Sequence, residues 1–113
     1  MSDPSRKFFI YTRKSTDTED RQVRSIADQL SELRELARKE GVEVMDVFVE
    51  KQTAKMPGRP ILAEMLSRME KGAASGILAW HPDRLARNSV DGGKIIYLVD
   101  TGVIKELKFP TFW

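Results

Sequence analysis

Apolar and polar positions alternate along the chain in blocks whose period switches between that of a strand and that of a helix. Lys7-Phe8-Phe9-Ile10-Tyr11-Thr12 is a short aromatic and β-branched run and predicts a buried strand. Ser15 to Arg24 is polar, rich in Asp, Thr and Arg, and reads as a loop. Ser25 with Asp28 resembles a capping box, Ile26, Leu30, Leu33 and Ala37 follow at helical spacing, and Gly41 stands where a C-terminal cap belongs. Val42 to Glu50 predicts a second strand, and Gln52 to Arg59, with Pro57-Gly58, a loop. Pro60 suits the first turn of a second helix, with Ile61, Leu62, Met65, Leu66 and Met69 as its stripe and Gly72 as its end. Its methionines read as core filler. Gly76 to Trp80 predicts a third strand, followed by the polar turn His81 to Asn88. Ser89 caps a third helix running through Ile95, Ile96 and Val99 and closed by Gly102; Val103 to Phe109 predicts a fourth strand, broken by Pro110.

Strands separated by single helices favour parallel pairing with right-handed crossovers. The expected architecture is therefore a three-layer α/β domain, a mostly parallel sheet of four to five strands with helices on both faces. In such sheets ligands bind beyond the carboxyl ends of the strands, where strand order reverses. With the order 2-1-3-4, the segment Tyr11-x-Arg13-x-Ser15 after strand one, the segment Asp83-Arg84-x-x-Arg87 after strand three, and the loop after strand two with Thr53 and Arg59 all face one crevice. That geometry gathers Arg13, Arg59, Arg84 and Arg87 around one exposed hydroxyl.

Composition narrows the chemistry. The chain has 113 residues, enough for one domain with one core, and residues 1–113 are read as a single unit without repeat or linker. It has no cysteine, which excludes disulfides, thiol nucleophiles, zinc ribbons and iron–sulfur clusters. The single histidine, His81, excludes sites needing two imidazoles and removes the usual partner of a catalytic serine; it reads as a loop residue, not a metal ligand. No run reaches the roughly 18 apolar residues of a membrane span, and the start of the chain lacks the apolar core of a secretory signal. Nineteen Lys and Arg against seventeen Asp and Glu give a net charge of only +2, so what matters is where the arginines converge.

A lone serine past a strand end is most often a turn or capping residue, and a lone arginine a solvated charge. Four arginines at one predicted functional edge with Ser15 fit a different use. Guanidinium groups stay charged at any working pH and present planar forks to phosphate. Attack of a hydroxyl on a phosphodiester builds negative charge on the non-bridging oxygens, and preorganised cations stabilise that state more than the ground state. They also favour the serine alkoxide where no histidine base is at hand. Asp83, between Pro82 and Arg84, reads as an orienting salt bridge for Arg84 or Arg87, with proton transfer to the leaving sugar oxygen as its other possible role.

These residues resemble a family. Tyr11-x-Arg13-x-Ser15 after a first strand, Gln29 in the first helix and Asp83-Arg84-Leu85-Ala86-Arg87 after the third strand are similar to the catalytic domain of serine recombinases: resolvases, DNA invertases, and the larger transposon and phage integrases. The similarity runs from about Phe8 to Phe109. It implies that Ser15 is the nucleophile, joined to a 5′ phosphate with release of a 3′ hydroxyl. It implies that Arg13, Arg59, Arg84 and Arg87 bind and activate the phosphate, with Asp83 and Gln29 in support and Tyr11 as a structural or DNA-proximal neighbour. It further implies double-stranded DNA as partner, a homo-oligomer (a dimer, and a synaptic tetramer in the full-length protein), a cytoplasmic location, and no cofactor or essential metal. Glu50-Lys51-Gln52-Thr53-Ala54 resembles the family's loop after strand two, with Thr53 keeping a hydroxyl and Ala54 standing where a glycine is usual. The stretch from Ser15 to Ser25 is longer than in compact resolvases, as in the larger members. Family members also continue into a long dimerisation helix and a DNA-binding region. The expectation is an isolated catalytic domain, weak in DNA binding and inactive or weakly active alone.

Two other readings compete. Pro82-Asp83 followed by Glu106-Leu107-Lys108 matches the PD…ExK pattern of metal-dependent nucleases, although the third helix would separate strands that such enzymes place side by side in a hairpin. A flavodoxin-like or receiver-like interaction module would share the fold, but needs acidic residues or phosphate loops at strand ends that here carry Tyr and Arg. Gly92-Gly93-Lys94 lacks the earlier glycine of a phosphate loop and falls inside the third helix.

Overall fold

A computed structural model describes residues 7–13, 26–50, 60–80 and 89–110. The elements run β1 (Lys7–Arg13), α1 (Ile26–Glu40), β2 (Glu43–Glu50), α2 (Pro60–Glu70), β3 (Gly76–Ala79), α3 (Ser89–Asp100) and β4 (Glu106–Lys108). The sheet has the order β2-β1-β3-β4 and every pairing is parallel. This is the expected four-stranded order.

Strand alternation sorts the core into two compartments. Phe8 and Ile10 of β1 and Leu78 of β3 pack with Leu33 and Ala37 of α1. Phe9 and Tyr11, with Phe48, Ile77 and Ala79, pack on the opposite face with Leu62, Met65, Leu66 and Met69 of α2 and Ile95 and Leu98 of α3. Helices therefore cover both faces, one against two, and β1 is buried along nearly its whole length because it lies between them. Phe9 and Phe48 meet edge to face with ring centroids 4.9 Å apart, and the Arg68 guanidinium lies 5.5 Å from the Phe48 ring centre.

The turns that return the chain to the sheet rest on helix closure. Gly102 has φ 85°, which a residue with a Cβ rarely adopts, and lets Val103 N–H donate to Leu98 O at 2.9 Å. Gly41, at φ 69°, allows the same closure from Val42 N–H to Ala37 O. The edge strand β2 carries an irregularity opposite Phe8 and Phe9: Phe8 aligns with Val44 and Phe9 with Asp46, leaving Met45 unmatched. Such bulges twist an edge away from further pairing.

One expectation needs correction, and the packing refines two others. On α3 the buried residues are Ile95 and Leu98, whereas Ile96 and Val99, each one residue and so about 100° further round the helix, are exposed. β4 is three residues long rather than seven: Val103 is half-buried and Ile104 buried, but their N–H groups close α3, and Lys105 N–H reaches Ser75 O before pairing with β3 begins. In α1, Gln29 occupies the inward position flanking Leu33 and Ala37, while Ile26 and Leu30 are half-buried.

Candidate active site at the carboxyl rim of the sheet

The parallel register brings the carboxyl ends of the three leading strands together. Arg13 pairs with Glu50, and Tyr11 pairs with Phe48 on one side and Ala79 on the other. Residues 14–25, 51–59 and 81–88 leave from these adjoining ends, at the point where the strand order reverses. Ser15, Thr53, Arg59, Asp83, Arg84 and Arg87 belong to those segments and lie outside the described residues. Arg13, Gln29 and Tyr11 are described, and the structure brings all three to this rim.

Arg13 ends β1 with its side chain wholly buried. By alternation it follows Phe9 and Tyr11 onto the face covered by α2 and α3. The field of a cation held there is less screened than that of a surface arginine. Gln29, also fully buried, donates from Nε2 to the Arg13 carbonyl oxygen at 3.4 Å and so fastens the first turn of α1 to the end of β1. Thr12 turns the other way, and its hydroxyl donates to Phe48 O at 3.2 Å, tying the ends of β1 and β2. Tyr11 is fully buried, and its hydroxyl donates to Glu50 Oε1 at 3.1 Å. Of the two roles expected for it, these contacts fit the structural one.

Sequence reasoning missed Glu50. Its carboxylate, 1% exposed, accepts from Tyr11, from Leu62 N–H at 2.8 Å and from Ile61 N–H at 3.3 Å. The last two are among the first amides of α2, which have no partner within the helix. A signal was present: α2 has no acidic residue in its first turn, although a helix start favours negative charge, and an acid closes the preceding strand on the core side. Trp80 was missed as well. Half-buried just past β3, it donates from its indole nitrogen to Glu32 Oε2 at 2.6 Å and joins the rim to α1.

Of the competing nuclease pattern, Glu106 and Lys108 are described, and Asp83 lies outside the described residues. Glu106 aligns with Gly76 at the start of β3, the end opposite to the one from which the Asp83 segment departs. Lys108 Nζ lies 3.1 Å from Glu40 and 3.6 Å from Glu106. The described residues contain no group of three metal-ligating side chains. They contain no helix long and apolar enough to cross a membrane.

The family model described as the resolvase N-terminal domain matches residues 8–103. This chain belongs to the resolvase family and is a serine recombinase catalytic domain. The N-terminal catalytic domain of TP901-1 integrase shares 30% identity with it at a TM-score of 0.67, over 86% of this chain and 68% of that one. The C-terminal catalytic domain of ISC1926 TnpA, an IS607-like serine recombinase, superposes with a TM-score of 0.75 at 19% identity, over 94% of this chain and 68% of that one. A resolvase-family site-specific recombinase from Streptococcus pneumoniae gives 0.65 at 21%, over 87% and 68%. These two likenesses speak to the fold alone. No curated protein matches the chain significantly. The resolvase domain thus has the architecture its motifs implied, and the nuclease and interaction-module readings are not favoured.

Proposed function

We propose that this resolvase-family domain breaks and rejoins double-stranded DNA through Ser15. The observation that carries the reading is the strand order. It starts the segments bearing Ser15, Arg59 and Asp83–Arg87 from adjoining strand ends beside the buried Arg13. In this reading Ser15 Oγ attacks phosphorus and gives up its proton. The bond from phosphorus to the 3′ oxygen breaks, that oxygen takes a proton, and the 5′ phosphate is left esterified to the serine. One phosphoester replaces another, so a 3′ hydroxyl can reverse the step without a nucleotide energy source. Arg13, Arg59, Arg84 and Arg87 carry the charge that develops on the phosphoryl oxygens; each such donor is worth roughly 10²–10³ in rate. Asp83 orients Arg84 or Arg87, and Gln29, Tyr11 and Thr53 support the rim. The integrase and TnpA relatives support DNA as the partner, and a pair of broken duplexes needs more than one copy of the chain to rejoin them.

The test uses labelled duplexes tiled across the DNA that flanks its gene, with covalent adducts resolved on denaturing gels. Ser15→Ala is expected to abolish the adduct while leaving DNA binding nearly intact. Arg84→Ala is expected to slow adduct formation at least about a hundredfold while the melting temperature stays put, as for a side chain that serves the chemistry rather than the core. Cleavage that requires Mg²⁺ and survives Ser15→Ala would refute the mechanism.

A further inference from the structure

Strand alternation breaks in the first half of β2. Val44 and Val47 both pack on the α1 side, against the cluster of Phe8, Ile10, Leu33, Ala37 and Leu78, whereas Phe48 packs on the α2 side. A regular strand puts positions three apart on opposite faces. Met45, 41% exposed and unmatched in the pairing with β1, is the extra residue that permits the change of phase. The same stretch allows a second arrangement. Without the bulge, the start of β2 would slip by one residue. Phe8 would then align with Met45 instead of Val44, and Lys7 with Val44 instead of Glu43. Val44 and Met45 are both apolar, so hydrophobic pattern alone chooses weakly between the two registers.

A polar clamp stands at the next residue. Asp46 Oδ1 accepts from Val47 N–H at 2.8 Å, and its Oδ2 accepts from Arg68 Nη1 of α2 at 2.9 Å. Arg68 Nη2 donates to Glu64 Oε2 at 2.8 Å, and its guanidinium lies 5.5 Å from the Phe48 ring centre. An isolated surface ion pair is worth little, but this guanidinium is held by two carboxylates and a ring at once. A carboxylate that bends back to the following amide and also grips a fixed cation holds its own backbone at the kink. We propose that Asp46 and Arg68 form a register lock: they hold the bulge at Met45 and so keep Val44, not Met45, against α1. The proposal is independent of the role of Ser15.

The chain has no cysteine, so introduced pairs report the register cleanly. Lys7→Cys with Glu43→Cys spans the observed alignment, and Lys7→Cys with Val44→Cys spans the slipped one. The experiment measures the disulfide-linked fraction of each pair in a glutathione redox buffer, on non-reducing gels. The 7–43 pair is expected to close and the 7–44 pair to stay open. Adding Asp46→Ala is expected to raise the ratio of 7–44 to 7–43 closure at least about tenfold, the scale set by losing a hydrogen bond to a charged group. Arg68→Ala should do the same, and the two changes together should add little to either, because they break one clamp. An unchanged ratio in either variant, or effects that multiply in the double variant, overturns the proposal. Leu98→Ala loosens the core elsewhere and is expected to leave the ratio alone. An equal rise there would mean that general loosening, not the clamp, governs the register, and would also overturn it.

Discussion

A Cβ placed on Gly76 would fall 2.4 Å from the Phe8 ring, which is itself fully buried among Ile10, Leu33, Ala37 and Leu78. The ring has nowhere to go, so Gly76→Ala is expected to destabilise the domain by about 1–3 kcal/mol, as overpacked cores do. The check is a lower urea midpoint at unchanged slope. The sequence offers Gly76 only as the start of a strand; its lack of room is a fact of the pairing with β1. Glu50 is a similar case. Its residue type is visible, but its three hydrogen bonds join Tyr11, Ile61 and Leu62 from separate elements, and no local pattern specifies that meeting. Arg13 and Gln29 were legible as members of a motif. Their complete burial was not, since charged and amide side chains are ordinarily exposed.

Elements were legible where hydrophobic period and terminal chemistry agreed. The aromatic run opening β1, Pro60 at the start of α2, and the glycines closing α1, α2 and α3 stand where the pattern put them. The buried face of α3 was not legible because Ile95, Ile96, Leu98 and Val99 offer more apolar positions than one face can hold, and only packing against the sheet chooses Ile95 and Leu98. Two substitutions test that choice. Leu98→Ala, at a position 1% exposed, is expected to cost about 2–5 kcal/mol, whereas Ile96→Ala, at 62%, is expected to change stability by no more than about 0.5 kcal/mol. Equal losses in chemical denaturation would mean the helix is turned otherwise. β4 came out shorter than its apolar run because Val103 and Ile104 complete the α3 closure first.

At the scale of the molecule, the alternation of strands and helices was enough to anticipate a parallel sheet, and the 2-1-3-4 order puts the candidate rim where strand order reverses. The resolvase-family match over residues 8–103 agrees with the motifs that pointed to that rim. The account's central claim is that one alcohol at this rim becomes esterified to DNA. Its most direct test is to trap the protein on a cleaved duplex, digest both polymers, and map the modified peptide by mass spectrometry. The account predicts a nucleotide 5′-phosphate on Ser15, with a free 3′ hydroxyl on the other strand end. A nucleotide on any other residue, or a linkage through a 3′ phosphate, would contradict it.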